Sequence, residues 1–181
     1  MTPPADRQPP ADPDWVRAQL QRLERPLILY AARLLGDVEG ARDVVQEAFL
    51  RLCNQDPGAL GEKVDVWLFT VCRNLCTDMH RREGRMTPLE NQQVDLVAGP
   101  APAPDEAAEA QDEYGLVMET LGSLPPKQQE VLRLKFQDGL SYKEISRVTK
   151  DSVGTVGWLL HMGLKGLRTK LGTSDYRGAK A

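Results

Sequence analysis

The chain has 181 residues, 41% of them hydrophobic, and a formal net charge of −3, a length that holds one domain or two small ones. No stretch approaches the roughly 20 apolar residues of a membrane span, and none looks like the core of a signal peptide, so no membrane insertion and a cytoplasmic location are expected. Three cysteines do not make a disulfide framework, and two histidines with no glycine-rich phosphate loop offer no catalytic constellation, so neither enzyme activity nor a cofactor is expected.

The charge is unevenly spread. Residues 86–113 carry seven acids, no lysine or arginine, and the run GPAPAP at 99–104, the composition of a solvated linker. Residues 15–85 are nearly balanced, with 11 basic and 10 acidic side chains, whereas 114–181 hold 11 basic and 6 acidic, about +5. A basic domain tethered to an acidic segment points to a polyanionic partner.

In chain order, residues 1–14 are proline-rich and polar and are expected to be disordered. From Trp15, the residues Trp15, Val16, Leu20, Leu23, Leu27, Ala31, Leu34 and Leu35 recur at helical steps. Pro26 falls inside that pattern, where a kink or a break is expected, and Gly36-Asp37 stops it. A second helix over about 39–53 buries Val44, Val45, Ala48, Phe49 and Leu52 and presents Asp43, Gln46, Glu47 and Arg51 on a flat, charged face. Residues 54–66 read as a loop with two glycines and a proline, and loops of this length between packed helices are often functional.

A third helix, about 65–84, turns Leu68, Val71, Cys72, Leu75, Cys76 and Met79 inward and leaves Arg73, Asn74, Asp78, Arg81 and Arg82 more exposed. Trp67, at its start, reads as a core residue. The strongly basic end, HRREGR at 80–85, suits either a polyanion or the negative pole of the helix dipole. Cys72, Cys76 and His80 stand four residues apart, but a rise of about 1.5 Å per residue separates the first and third by roughly 12 Å, too far to share one ion. The two thiols, on an apolar stripe, read as small core residues, and no metal is assigned.

The most informative stretch is 124–171. Pro125 and Pro126 follow Leu124 where only the first turn of a helix tolerates proline, and Val131, Leu132, Leu134 and Phe136 give that helix an apolar face ending at Asp138-Gly139. Ser141-Tyr142-Lys143-Glu144 is a capping box, with Ile145 and Val148 on the buried side of the helix it opens. Ser152 then caps a long helix with an apolar stripe at Val153, Val156, Leu160, Leu164, Leu167 and Leu171. Two helices joined by a short turn, the second long, form a helix-turn-helix, the unit that fits the DNA major groove. An ordinary helical hairpin has the same outline.

Together, LLGDVEGARDVVQEAFLRL at 34–52, WLFTVCRNLCTDMHRR at 67–82 and LPPKQQEVLRLKFQDGLSYKEISRVTKDSVGTV at 124–156 resemble, in order and spacing, the extracytoplasmic-function (ECF) sigma factors of bacteria. The resemblance implies an all-α protein of two small helical domains: a sigma-2 bundle at 15–85 and a sigma-4 helix-turn-helix at 114–172, joined by the flexible acidic linker 86–113, with 173–181 a disordered tail. It implies binding to core RNA polymerase, through its beta and beta-prime subunits, and to promoter DNA, with an anti-sigma factor as regulator.

Carried over by position, Asp43, Gln46, Glu47 and Arg51 face the clamp helices of the largest polymerase subunit. Asn54, Gln55 and Lys63, in the specificity loop 54–66, and Arg73, Asn74, His80, Arg81 and Arg82 on the following helix meet the minus-ten strand. Lys150, Ser152, Thr155, Trp158, His161, Lys165 and Arg168 meet the minus-thirty-five element. There the chain departs from its family: Gly157, Trp158 and Leu159 stand where a basic, a small polar and a basic residue are usual, and His161-Met162-Gly163 where arginine is common. Trp158 and Leu159 are then free to pack on thymine methyls or on a protein. Two other readings are a regulator that uses only the helix-turn-helix, and a sigma-like protein whose C-terminal domain binds protein through Trp158, Leu159 and Met162.

Overall fold

The structure, a computed structural model, describes residues 11–82 and 107–178. Every regular element among them is helical, and the chain divides into an N-terminal and a C-terminal unit. The proline-rich residues 1–10, the central segment 83–106 with its GPAPAP run, and residues 179–181 lie outside the described residues.

In the N-terminal unit, α1 (Pro13–Leu35), α2 (Val38–Leu52) and α4 (Val64–Arg82) pack on one another. Their ends are set by local chemistry. Asp12 accepts from the backbone N–H of Asp14, with Pro13 in the first turn of α1, and Gly36 at φ 73° closes that helix by donating to the Ala32 carbonyl. Asp37 caps α2 by accepting from the N–H groups of Glu39 and Gly40. The core comprises Leu23, Leu27, Tyr30, Ala31 and Ala32 of α1, Ala41, Val44, Val45, Ala48, Phe49 and Leu52 of α2, and Val64, Val66, Leu68, Phe69, Cys72 and Cys76 of α4. Tyr30 and Phe69 meet edge to face, with ring centroids 5.2 Å apart.

Four expectations change here. Residues 11–14 are ordered: Ala11 is buried and donates to the Cys53 carbonyl at 2.9 Å, and Asp12 is the cap. Helix α1 runs through Pro26 unbroken; its buried stripe continues on both sides of the proline, and tertiary packing offsets a local cost of about 3 kcal/mol. Leu20, on the expected stripe, is exposed. The stretch 54–66 contains the single turn α3 (Pro57–Leu60) and a 3-10 turn (Gly61–Lys63), because Asp56 caps the N–H of Gly58 at 2.8 Å and Pro57 suits the first helical position.

In the C-terminal unit, α8 (Val153–Gly178) packs against α5 (Ala107–Gly122), α6 (Pro126–Phe136) and α7 (Tyr142–Thr149). The capping box forms as read: Ser141 N–H donates to Glu144 Oε2 at 2.7 Å, and Glu144 N–H donates to Ser141 Oγ at 3.4 Å. Between α7 and α8, Lys150 takes the left-handed conformation at φ 62°, the only described non-glycine residue with positive φ. Ser146 Oγ donates to the Asp151 carbonyl at 2.7 Å and fixes the turn. Ser152 Oγ then accepts from Thr155 N–H at 3.0 Å and caps α8.

Helix α5 begins at Ala107, so the last residues of the expected linker are helical; three alanines among 107–110 favour it, and acids in the first turns suit the positive pole of its dipole. Helix α8 extends to Gly178, through most of the expected tail, since extending an existing helix is far easier than nucleating one. Phe136 (64% exposed) and Val153 face solvent, not the core, whereas Leu159 is buried beside Val156 and Leu160. The stripe is wider there because α6 and α7 both pack on that end of α8.

Candidate polymerase and nucleic-acid surfaces

The first surface lies on α2. Burial of Val44, Val45, Ala48 and Phe49 turns Asp43, Gln46, Glu47 and Arg51 outward. Glu47 Oε1 and Arg51 Nε pair at 2.8 Å, one helical turn apart and about half exposed. The same face carries Leu50, 56% exposed, four residues from Gln46 and seven from Asp43, hence among them. Sequence reasoning missed it: with four buried apolar positions nearby, a fifth apolar residue carries no mark that it faces away.

The second surface combines the turns after α2 with α4. Asn54 Nδ2 donates to the Leu50 carbonyl at 3.2 Å and finishes α2, Gln55 is half-buried, and Lys63 is exposed in the 3-10 turn. Arg22 reaches across from α1 to hold Asp65 in a two-pronged ion pair, which fixes the start of α4 against α1. Along α4, Arg73 and Asn74 are half-buried, and Arg81 and Arg82 are exposed. Arg81 Nη1 lies 3.4 Å from Asp78 Oδ1.

His80 is placed differently from the sequence reading. Its Nε2 donates to the Leu34 carbonyl at 2.8 Å, tying the end of α4 to the end of α1. Nine residues separate Arg73 from Arg82, about two and a half turns, so the two leave opposite sides of the helix. The minus-ten set therefore divides, with Arg73 on one side and Arg82 on the other. Trp67 is half-buried. Cys72 and Cys76 are buried core residues, and burial, with a smaller contribution from Cys76, pushes the Cys72 thiol above the ordinary thiol range.

The third surface is the outer face of α8. Ser152, Thr155, Trp158, His161, Lys165 and Arg168 are all exposed; the five from Thr155 to Arg168 fall within about 140° of helix circumference and share one side, while Ser152 sits at the helix start as its cap. Lys150 is exposed at the turn just before. Ser152 and Thr155 hydroxyls lie 2.8 Å apart within the cap. Asp151, just before the cap, is held by Lys127 Nζ at 3.2 Å. A capped helix N-terminus with exposed Lys150 beside it, and its one neighbouring carboxylate paired with a lysine, can hold phosphate. Of the two apolar side chains singled out there, Trp158 is 58% exposed while Leu159 lies in the core, which removes Leu159 from any contact with a partner.

An all-helical protein with a charged helix face in one unit and a cation-flanked helix-turn-helix in the other belongs to the DNA-binding class. Comparison with known proteins makes the class specific. The model for sigma-70 region 2 matches residues 20–86, and that for sigma-70 region 4 matches 114–167. The ECF RNA polymerase sigma factor SigL of Mycobacterium tuberculosis is 33% identical over 145 residues, covering 78% of this chain and 80% of that one. SigW of Bacillus subtilis, of the same description, is 29% identical over 148 residues, 77% of this chain and 79% of its own. Among solved structures, the sigma factor RpoE in its co-crystal with the anti-sigma factor NepR from Bartonella quintana shares the fold, with a TM-score of 0.58, 24% identity, and coverage of 88% of this chain and 97% of that one. The chain belongs to the ECF RNA polymerase sigma factors, which serve transcription initiation and are not an enzyme class. Among the described residues, no helix is long and apolar enough to cross a membrane.

Proposed function

We propose that this sigma factor divides its work among three surfaces: the α2 face of Asp43, Gln46, Glu47, Leu50 and Arg51 binds core polymerase, the turns 54–63 with the basic end of α4 hold the melted minus-ten strand, and α8 docks on the minus-thirty-five duplex. The observation that supports this reading best is the α2 face, where charged side chains surround one exposed leucine on a rigid helix packed on two neighbours. Such a mixture of an apolar centre and a polar rim is how protein-protein contacts are built. On the minus-ten side, flipping a base out of the stack costs a few kcal/mol, which pocket contacts and arginine-phosphate pairing offset.

His80 contributes by holding α4 to α1, and so positions Arg81 instead of touching DNA itself. We place the protein in the cytoplasm, where Cys53, Cys72 and Cys76, all free, stay reduced. An anti-sigma factor as its regulator is part of the proposal, supported by kinship to proteins such as RpoE, which was crystallised with one.

Run-off transcription by holoenzyme reconstituted from this chain and core polymerase, on genomic fragments, tests the reading. Discrete start sites preceded by a common pair of elements are expected. DNA binding by the free protein with no transcripts would favour a regulator that uses only the helix-turn-helix.

A further inference from the structure

We propose that Trp158 reads the C5-methyl group of a thymine in the minus-thirty-five major groove, so that α8 selects sequence by apolar contact where hydrogen-bonding readers are missing. The inference rests on the reading of α8 as the helix that enters promoter DNA.

Trp158 stands in the second turn of α8, on the same side as Thr155, His161, Lys165 and Arg168, and is 58% exposed. It is not among the buried core residues, which Val156, Leu159 and Leu160 supply elsewhere on the helix. The first three turns of the outward face hold no Arg, Lys, Asn or Gln, the usual paired readers of base edges. With Leu159 buried and Met162 half-buried, Trp158 is the large apolar group presented there.

Its neighbours clear its surroundings. Residues 154 and 157 are glycines. A side chain at 154 would meet only Ser152 Oγ, at 3.8 Å, and one at 157 only the Tyr142 ring, at 3.8 Å, both ordinary contacts. Packing therefore requires neither glycine, and each weakens the helix. Exposed Gly154 leaves bare helix surface one turn before the indole, open to the close approach of a groove edge, while half-buried Gly157 lies beside the Tyr142 ring.

The charge around it favours nucleic acid over a protein partner. Between Ser152 and Leu171 there is no acidic residue, and Lys165, Arg168 and Lys170 follow Trp158 along α8. In the major groove, thymine alone carries a methyl group, beside its O4 acceptor. An indole edge offers the matching pair, apolar ring C–H groups beside one N–H donor. Cytosine presents an amino donor and no methyl, so it fits neither half.

The test uses holoenzyme and a promoter duplex whose minus-thirty-five sequence it recovers from a randomised pool. Each thymine of that element is replaced in turn by deoxyuridine, which keeps O4 and removes only the methyl. At one position the wild-type holoenzyme should lose about three- to fivefold in affinity, the effect of one buried methyl. Holoenzyme with Trp158→Ala should bind the thymine duplex that much more weakly and ignore the replacement, while the circular-dichroism melt of the free protein stays unchanged. Insensitivity of the wild type to every deoxyuridine would overturn the inference, as would a Trp158→Ala holoenzyme that still senses the methyl. Failure of the holoenzyme to retain any promoter sequence would instead count against the sigma-4 role of α8, a separate outcome.

Discussion

Charge reversal at Glu47 separates the polymerase contact from the stability of the helix that carries it. In Glu47→Lys the pair with Arg51, 2.8 Å apart and about half exposed, is lost, and two cations stand one turn apart. An exposed pair at this spacing is worth about 0.3 to 0.5 kcal/mol, and the like-charge pair costs a similar amount. Glu and Lys have nearly equal helix propensity, so the total is below about 1 kcal/mol. For a unit of this size that lowers the melting temperature by less than about 8 °C. A charge that meets an opposite charge at an interface is worth more when reversed: at about 2 kcal/mol or above, affinity falls about thirtyfold. The assay is competition of unlabelled variants against fluorescent wild-type protein for core polymerase, with melts in parallel. Asp43→Lys should behave alike, and for it no ion pair exists to lose among the described residues. Leu50→Ala should weaken binding about tenfold, as expected for losing three carbons that are about half exposed in the free protein. Two folded charge-reversal variants that bind core polymerase like wild type would refute the assignment of this face.

Removing Arg81 and Arg82 together should lower the salt slope of binding to a forked minus-ten template by about 1.4, one phosphate for each cation, and leave closed duplex binding unchanged; a loss on duplex alone moves both residues to another role. Gly163→Ala should destabilise the C-terminal unit in denaturant titrations, because the new methyl would lie 2.8 Å from Leu132 Cδ1 and 3.3 Å from its Cγ; overpacking costs about 1 to 3 kcal/mol against about 1 kcal/mol gained in propensity. Gly166→Ala meets only the tip of Leu124, at 2.8 Å, so there the propensity gain should prevail. Hydrogen bonds from Ser141 hold the Glu144 carboxyl below the usual carboxylate range. Its contribution is therefore complete above about pH 4.3 and is lost as pH falls through the lower folded value, and Glu144→Gln should flatten that part of the stability profile.

The parts of this fold that were legible are those decided within a few residues. Ser141 with Glu144, and Ser152, sit at helix starts because their side chains satisfy backbone donors three residues away, an arrangement that spacing alone reveals. Long-range contacts were not legible. His80 looked like one more cation at a basic helix end, and only the approach of α1, 46 residues earlier, gives its ring nitrogen a carbonyl. Leu159 and Trp158 are adjacent and both apolar, so a pattern of threes and fours left both available to a partner; the packing of α6 and α7 against α8 decides which is buried. Leu50 and Phe136 failed in the same way, since an apolar residue facing solvent has no local signature.

Lys150 is the one described residue other than glycine with positive φ, in the turn between the two helices of the DNA-binding motif. A side chain in that conformation costs roughly 1 kcal/mol or more relative to glycine. Lys150→Gly should therefore raise the thermal stability of this unit and lower its affinity for any duplex, without changing which sequence it prefers. At this turn the chain trades robustness for attraction to phosphate, and a selection for heat resistance alone would be expected to discard the lysine first.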